Sequence, residues 1–307
     1  MLPLQDPTRG LSQETVRQYN SRLMDILSLY MNLMPTAIDR ETVCEVARDC
    51  GISNAEPFAY CLAALMGLDA GGADRHFFQH WLLPSIKECD PLDYTGDAYF
   101  QSIRIPSDVR GRWQLREEEL APFEPFVRND IVVMPDRRMI PQIGFFKAPY
   151  RFPAVLEKGR EWMTLQPNEI ATTRPAIEKA HGRVLTFGLG LGYFTYHAAQ
   201  KPEVESVTAV DISGEVIDLF STHILPQFPH KEKVQLVQAD ALDFAEQQMA
   251  GNFDFVFADI WHDAGDGKEL YLKMKPYEAR FPTIDFSFWL EDTIRCYLDE
   301  SLWEMRK

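Results

Sequence analysis

The stretch from Arg183 to Gln200 constrains the fold more than any other. A short apolar run, Arg183-Val184-Leu185-Thr186-Phe187, leads directly into Gly188-Leu189-Gly190-Leu191-Gly192, and Tyr193 to Gln200 then reads as a helix. Glycine at every second position lets the backbone turn sharply and lets a ligand approach the main chain where a side chain would collide. Strand, glycine loop and helix in that order make a cradle for a cofactor. From about residue 166 short apolar runs alternate with helices, the pattern of a parallel α/β sheet. A dinucleotide fingerprint would want glycine at 193, where this chain has Tyr193, so nicotinamide or flavin binding is the weaker reading. Without a ligand the same loop would be a tight strand-to-helix turn.

Three carboxylates fall in step with that loop. The second apolar run, Ser206-Val207-Thr208-Ala209-Val210, ends in Asp211, where a carboxylate at a strand tip can accept hydrogen bonds from both ribose hydroxyls of a nucleoside. The third, Val234-Gln235-Leu236-Val237, runs into Gln238-Ala239-Asp240-Ala241, where a carboxylate beside a small residue could bond an adenine amino group and leave room for the ring. The fourth, Phe253 to Ala258, ends in Asp259, with His262 and Asp263 just beyond it. Polar groups at that edge would face the reacting end of a ligand. Taken singly, Asp211 would serve as a helix cap, Asp240 as a turn residue and His262 as a surface loop residue. Their joint spacing carries the functional interpretation.

The ordered set from Gly182 to about Asp263 resembles the class I S-adenosylmethionine-dependent methyltransferases. The layout before it, from Trp162 through Gln166-Pro167-Asn168-Glu169 to Lys179, looks like their spermidine synthase-like branch. The resemblance implies a Rossmann-like, mostly parallel sheet with central order 3-2-1-4. It also implies bound S-adenosylmethionine, with ribose on Asp211, adenine near Ile212, Asp240 and Ala241, and the methionine moiety along Gly188, Gly190 and Gly192. Asp259 or His262 would be the catalytic base for methyl transfer to a small-molecule or protein acceptor. Two departures stand out. Thr186 occupies the position, two before the first glycine, where these enzymes often carry an acid. The GGGDG loop and Asp-Ser-x-Asp-Pro motif of polyamine synthases are here Gly188-Leu189-Gly190-Leu191-Gly192 and Asp259-Ile260-Trp261-His262-Asp263. Aminopropyl transfer is therefore the second choice, and a non-catalytic S-adenosylmethionine-binding scaffold the third.

Charge and composition bound the rest. The 307 residues carry 31 basic against 46 acidic side chains, a net of -15 that repels a phosphate backbone and disfavours nucleic acid. No apolar run approaches the roughly 20 residues of a membrane span. The five cysteines lack CxxC spacing, and the first twenty residues lack a secretory pattern, so a cytoplasmic setting is expected. Charge changes along the chain suggest an N-terminal helical domain at 1–110, a β-hairpin or linker segment at 111–165, and the cofactor domain at 166–307. In the first, Val16, Tyr19, Leu23, Ile26 and Tyr30 recur at helical spacing before Pro35, Asp39 can cap a helix ending at Gly51, and Ser53 or Asn54 can start a third reaching Gly67. In the second, Ile131 to Met134, Ile143 to Phe146 and Trp162 to Leu165 read as strands, and the prolines, Pro141 and Pro153 among them, suit edges and turns.

Residues 264–307 read mostly helical, so the sheet is expected to stop after its fourth strand, its edge covered by other regions or by a second copy in a homo-oligomer. Asp259, His262 and Asp263 fall short of a specified metal shell, and no metal is assigned. His76 and His80 share a helical face but sit among Phe77, Phe78 and Trp81, which favours aromatic packing over zinc. Trp113, Tyr150 and Trp162 are core residues first, with the wall of an acceptor pocket as their alternative role.

Overall fold

The computed structural model describes residues 7–8, 10–52, 55–249 and 251–303. The chain forms two compact units, each discontinuous in sequence: Met1–Pro91 with Leu120–Tyr150 and Arg295–Lys307, and Leu92–Glu119 with Arg151–Ile294. This partition differs from the consecutive segments 1–110, 111–165 and 166–307 suggested by charge. Charge follows the surface, whereas burial joins the two strands between residues 125 and 146 to the N-terminal helices: Ile143 and Phe145 pack in one core with Leu23, Tyr30, Phe58 and Trp81.

In the first unit the helix Gln13–Leu33 buries Leu23, Leu27 and Tyr30 and is capped by Ser12, which accepts from the Thr15 amide at 3.1 Å. Asp39 caps Arg40–Cys50 through the Thr42 amide at 2.9 Å, and Gly51 ends that helix at φ +64°. Glu56–Leu65 follows, but Ser53 and Asn54, its expected start, lie outside the described residues. His76 and His80 lie in an aromatic cluster with their rings tilted and 4.7 Å apart by centroid, and His76 also meets Trp81. Asn20 is fully buried and satisfied: its oxygen accepts from Trp81 Nε1 and the Met139 amide, and its nitrogen donates to the Arg137 and Leu302 carbonyls. A three-stranded sheet has the order Ile86–Cys89, Met139–Phe146, Pro125–Val133.

Pro141 and Pro153 correct an expectation: Pro141 lies in the central strand of that sheet, and Pro153 in Tyr150–Glu157, an inner strand of a four-stranded sheet, rather than at an edge. For Pro141 the register explains the tolerance. Ile86–Cys89 pairs only from Ile143 onward, and the other neighbour is irregular between Asn129 and Val132, opposite Gln142 and Ile140. Pro141 thus falls where no ladder needs its missing N–H.

The second unit is built on a five-stranded parallel sheet. Its strands in chain order are Gly182–Phe187, Val204–Asp211, Val234–Gln238, Phe255–Ala258 and Asp285–Phe288, and their spatial order is 3-2-1-4-5. The α/β class and the central order 3-2-1-4 are those expected, but the sheet does not stop after strand four. Asp285–Phe288 pairs in parallel along all of Phe255–Ala258. Four residues with two aromatics and a half-exposed edge give too short an alternation to stand out from neighbouring helical segments. Leu185, Phe187, Val207, Val256 and Phe257 form the buried centre. A four-stranded sheet, in the order Asp108–Arg110, Trp113–Leu120, Tyr150–Glu157, Arg160–Thr164, belongs largely to the same unit. Among the described residues no helix is long and apolar enough to cross a membrane.

Candidate functional site

The glycine loop sits where three strand ends meet. The Gly188 amide donates to the Val210 carbonyl at 2.8 Å, and the Asp259 amide donates to the Phe187 carbonyl at 2.9 Å. At φ +91° Gly188 lies so close to the fourth strand that a Cβ would stand 1.8 Å from the Asp259 carbonyl oxygen. Gly190 has φ +48°, with Met163 Sδ 2.1 Å from where its Cβ would be, and the Leu191 amide donates to that sulfur at 3.1 Å. Gly192, at φ +72°, begins the helix Tyr193–Gln200 and leaves space for the Phe220 ring. Asp97 steadies this helix: it accepts from the Tyr193 hydroxyl at 3.0 Å, lies 2.9 Å from His197 Nε2, and caps Ala98–Ser102. Tyr99 then donates its hydroxyl to the Leu191 carbonyl at 2.6 Å.

Asp211 ends the second strand. Its Oδ2 accepts from the Leu189 amide at 3.1 Å and its Oδ1 from the Ser213 amide at 2.8 Å, which fixes the carboxyl beside the loop. Burial pushes its pKa up against those two bonds. Ser213, not Asp211, caps the following helix. Asp240 does cap one, accepting from the Leu242 and Asp243 amides at 2.8 and 3.1 Å through a single oxygen. Ile212 is 67% exposed, an apolar surface beside these carboxylates.

A cavity of about 230 Å³ joins these groups. Gly188, Gly190, Asp211, Ile212, Asp240, Ala241 and Asp259 all line it, together with Trp113 and Trp162; Gly192, His262 and Tyr150 do not. Burial pushes the Asp259 pKa up to about 7. Beside it in the wall is Glu169, in the first turn of the helix Pro167–Lys179, whose carboxyl is driven well above its usual range by burial and then by Asp259. Glu169 and Trp113 each leave a buried polar atom, Oε2 and Nε1, without a hydrogen-bond partner among the described residues. At the rim Arg112 pairs with Glu157 at 2.9 Å, Arg112 being presented by the two-residue turn between Arg110 and Trp113. Five carboxyl side chains and one guanidinium line the cavity, and the guanidinium is paired with one of the carboxylates.

His262 lies instead in a loop. Its Nε2 is 2.7 Å from the Glu161 carbonyl, and its amide donates to Asp266 at 3.2 Å. The group that clusters at ligand-like distances is His262, Asp263 and Asp266 rather than Asp259, His262 and Asp263. The Asp263 and Asp266 carboxylates are engaged by amides of that same loop. For Asp263, burial raises the pKa, but the Asp266 and Gly265 amides outweigh it and the net shift is downward.

Glu169, Met163, Arg112 and Glu157 were not expected at the site from sequence. A glutamate in the first turn of a helix is ordinary complementation of the helix dipole, and nothing local distinguishes Glu169 from that role. The only signal was its place in the approach to the first strand.

Comparison with known proteins finds similarity over part of the chain. Residues 184–273 match the family model of a methyltransferase domain. Among solved structures, the spermidine synthase of Thermotoga maritima is 16% identical, with a TM-score of 0.34, over 60% of this chain and 56% of that one. TrmK of M. capricolum, in complex with S-adenosyl-homocysteine, is 13% identical with a TM-score of 0.28, over 33% of this chain and 44% of that one. The chain thus spans little more than half the length of the first of these. No curated protein sequence matches it. The matched stretch, residues 184–273, holds the glycine loop, the first four strands of the parallel sheet and the acidic strand ends, and it is there that the chain is similar to a methyltransferase domain.

Proposed function

We propose that the second unit binds S-adenosylmethionine and directs its methyl group to a small-molecule or protein acceptor. The observation that carries this is the common cavity at the ends of the four strands Gly182–Phe187, Val204–Asp211, Val234–Gln238 and Phe255–Ala258, lined by Gly188, Gly190, Asp211, Asp240 and Asp259. The fit of the cofactor rests on chemistry already in that wall. Asp211 keeps lone pairs for ribose hydroxyls beyond its two amide bonds, Ile212 offers an apolar surface for a ring, and the orphaned Glu169 oxygen and Trp113 N–H call for polar ligand groups.

When bound, S-adenosylmethionine supplies a methyl electrophile on a sulfonium sulfur. The residues of the chain do the rest. Backbone and side chains of the glycine loop and strand tips align the reactants, and orientation of this kind can supply on the order of 7–11 kcal/mol of barrier reduction. Asp259 receives the acceptor proton on its carboxylate, a role suited to an acid held near neutrality. His262, outside the cavity, has no part in this scheme.

Titration of S-adenosylmethionine and S-adenosylhomocysteine against the wild type and Asp211→Ala tests the assignment. Binding by the wild type, weakened at least tenfold in the variant, is expected. Equal affinity in both, or none in the wild type, would refute it. Aminopropyl transfer is not favoured: Leu191, fully buried, stands where the polyamine synthase loop carries its acid.

A further inference from the structure

A second carboxyl at the transfer end of the cavity is left unexplained by the methyl-transfer scheme. Glu169 is 8% exposed, and its Oε2 is buried without a hydrogen-bond partner among the described residues. It lines the same cavity as Asp259. No basic side chain answers it there, because Arg112, the only lysine or arginine among the lining residues, is engaged by Glu157. Leaving a carboxylate so enclosed and unpaired is costly, and two together are costlier still. With the one lining guanidinium paired elsewhere, burial favours a proton held on the pair.

The surroundings favour a cation as the missing partner. Trp113 and Trp162 meet edge to face at 5.7 Å on the cavity wall; the Arg112 guanidinium already lies over the Trp113 ring, 5.9 Å from its centroid, which leaves Trp162 as the indole face for an organic cation. Thr186 offers no competing charge: its side chain is buried and its hydroxyl donates to the Gly188 carbonyl at 3.4 Å. An ammonium group has donors enough to satisfy the orphaned oxygen and to neutralise both carboxylates.

We propose that Glu169 is a ligand-binding residue that, with Asp259, forms the receptor for a protonated amine at the transfer end of the cavity. The amine comes either from the amino-acid portion of the cofactor or from the acceptor. The identity of the cavity as a cofactor site is taken from the proposed function, but the carboxyl pair can be tested without it. A cation placed between the two acids lets both ionise, so its binding must expel a proton to the buffer.

Calorimetric titration of the full chain at pH 7, in two buffers of different ionisation enthalpy, reads that proton. S-adenosylhomocysteine, 5′-methylthioadenosine and 1-aminobutane are the probes, the last added both to the free protein and to protein saturated with methylthioadenosine. Proton release with S-adenosylhomocysteine but not methylthioadenosine assigns the amine to the cofactor. Release on adding 1-aminobutane, with both adenosyl ligands proton-silent, assigns it to the acceptor. In either case Glu169→Gln should abolish the release and weaken the amine-bearing probe about 10- to 100-fold while leaving methylthioadenosine affinity unchanged. Asp259→Asn, as a second variant, should also abolish it, and unaltered far-ultraviolet dichroism and melting behaviour guard against misfolding.

If neither adenosyl ligand binds, the cofactor assignment falls, and 1-aminobutane on the free protein still decides the receptor. Binding of every probe without proton release, failure of the amine to bind in any arm, or release that persists in Glu169→Gln overturns the proposal.

Discussion

Gly188→Ala separates a packing requirement from a merely flexible loop. The structure gives two costs. Alanine would have to adopt φ +91°, a conformation that costs about 1–3 kcal/mol for a residue with a side chain. Its Cβ would also start 1.8 Å from the Asp259 carbonyl oxygen, a main-chain atom that cannot swing aside, so the first and fourth strand ends must separate at a further cost of about 1–3 kcal/mol. The sum, roughly 2–6 kcal/mol, is a large share of the 5–15 kcal/mol that holds most domains together. Gly190→Ala is the internal control. Its φ of +48° is the left-handed region proper, about 1–2 kcal/mol for alanine, and its neighbour Met163 Sδ belongs to a flexible side chain that can rotate away. Native-state hydrogen exchange read by mass spectrometry, on peptides spanning 182–192 and 255–260, measures the local opening energy without assuming that the two units unfold together. Gly188→Ala should lower protection in both peptides, and Gly190→Ala mainly in the first. Equal protection in Gly188→Ala and wild type, or a larger loss in Gly190→Ala, would show that this crossing is not as tight as the geometry requires.

Two further expectations follow from side chains around the sheet. Arg183 donates from its amide and guanidinium to Asp254 at 2.8–3.0 Å, holding that carboxyl down at about 2. A depressed pKa stabilises the fold above the unfolded carboxyl's value of about 3.9, and that contribution is lost as pH falls through about 2. Both side chains are some two-fifths exposed, so after screening Asp254→Asn should cost only about 1 kcal/mol at pH 7 and a small fraction of that at pH 2, measured by urea unfolding; an equal loss at both pH values would contradict this. His262→Ala should change S-adenosylhomocysteine affinity less than twofold by calorimetry, since the imidazole lies outside the cavity wall; abolished binding would return it to the site.

What could be read from sequence was what local chemistry decides. Asp39 and Gly51 bound their helix because a short carboxylate can cap amides and glycine accepts a positive φ, both within a few residues. The strands around the glycine loop were visible because buried parallel strands are short, continuous apolar runs. Pro141 and Asp285–Phe288 were misjudged for a shared reason. Whether a proline sits at an edge, or four residues form a strand, depends on which partner runs alongside and in what register, and that is not written in the segment itself.

The site divides along the same line. Asp211, Asp240 and Asp259 were legible because each lies at the end of a strand or within two residues beyond it, and parallel strands bring their carboxyl ends to one edge whatever their separation in the chain. Glu169 comes from a helix before the first strand, and its importance arises only from enclosure: the same side chain on a solvated helix would be unremarked, whereas beside Asp259 it makes the wall hold more acid than the wall can ionise. A strand-tip rule therefore finds groups that can hold a nucleoside, while the group that decides the charge of what lies beside it has to be found from burial. Glu169→Gln separates these contributions, because it removes the charge demand and leaves every strand tip in place.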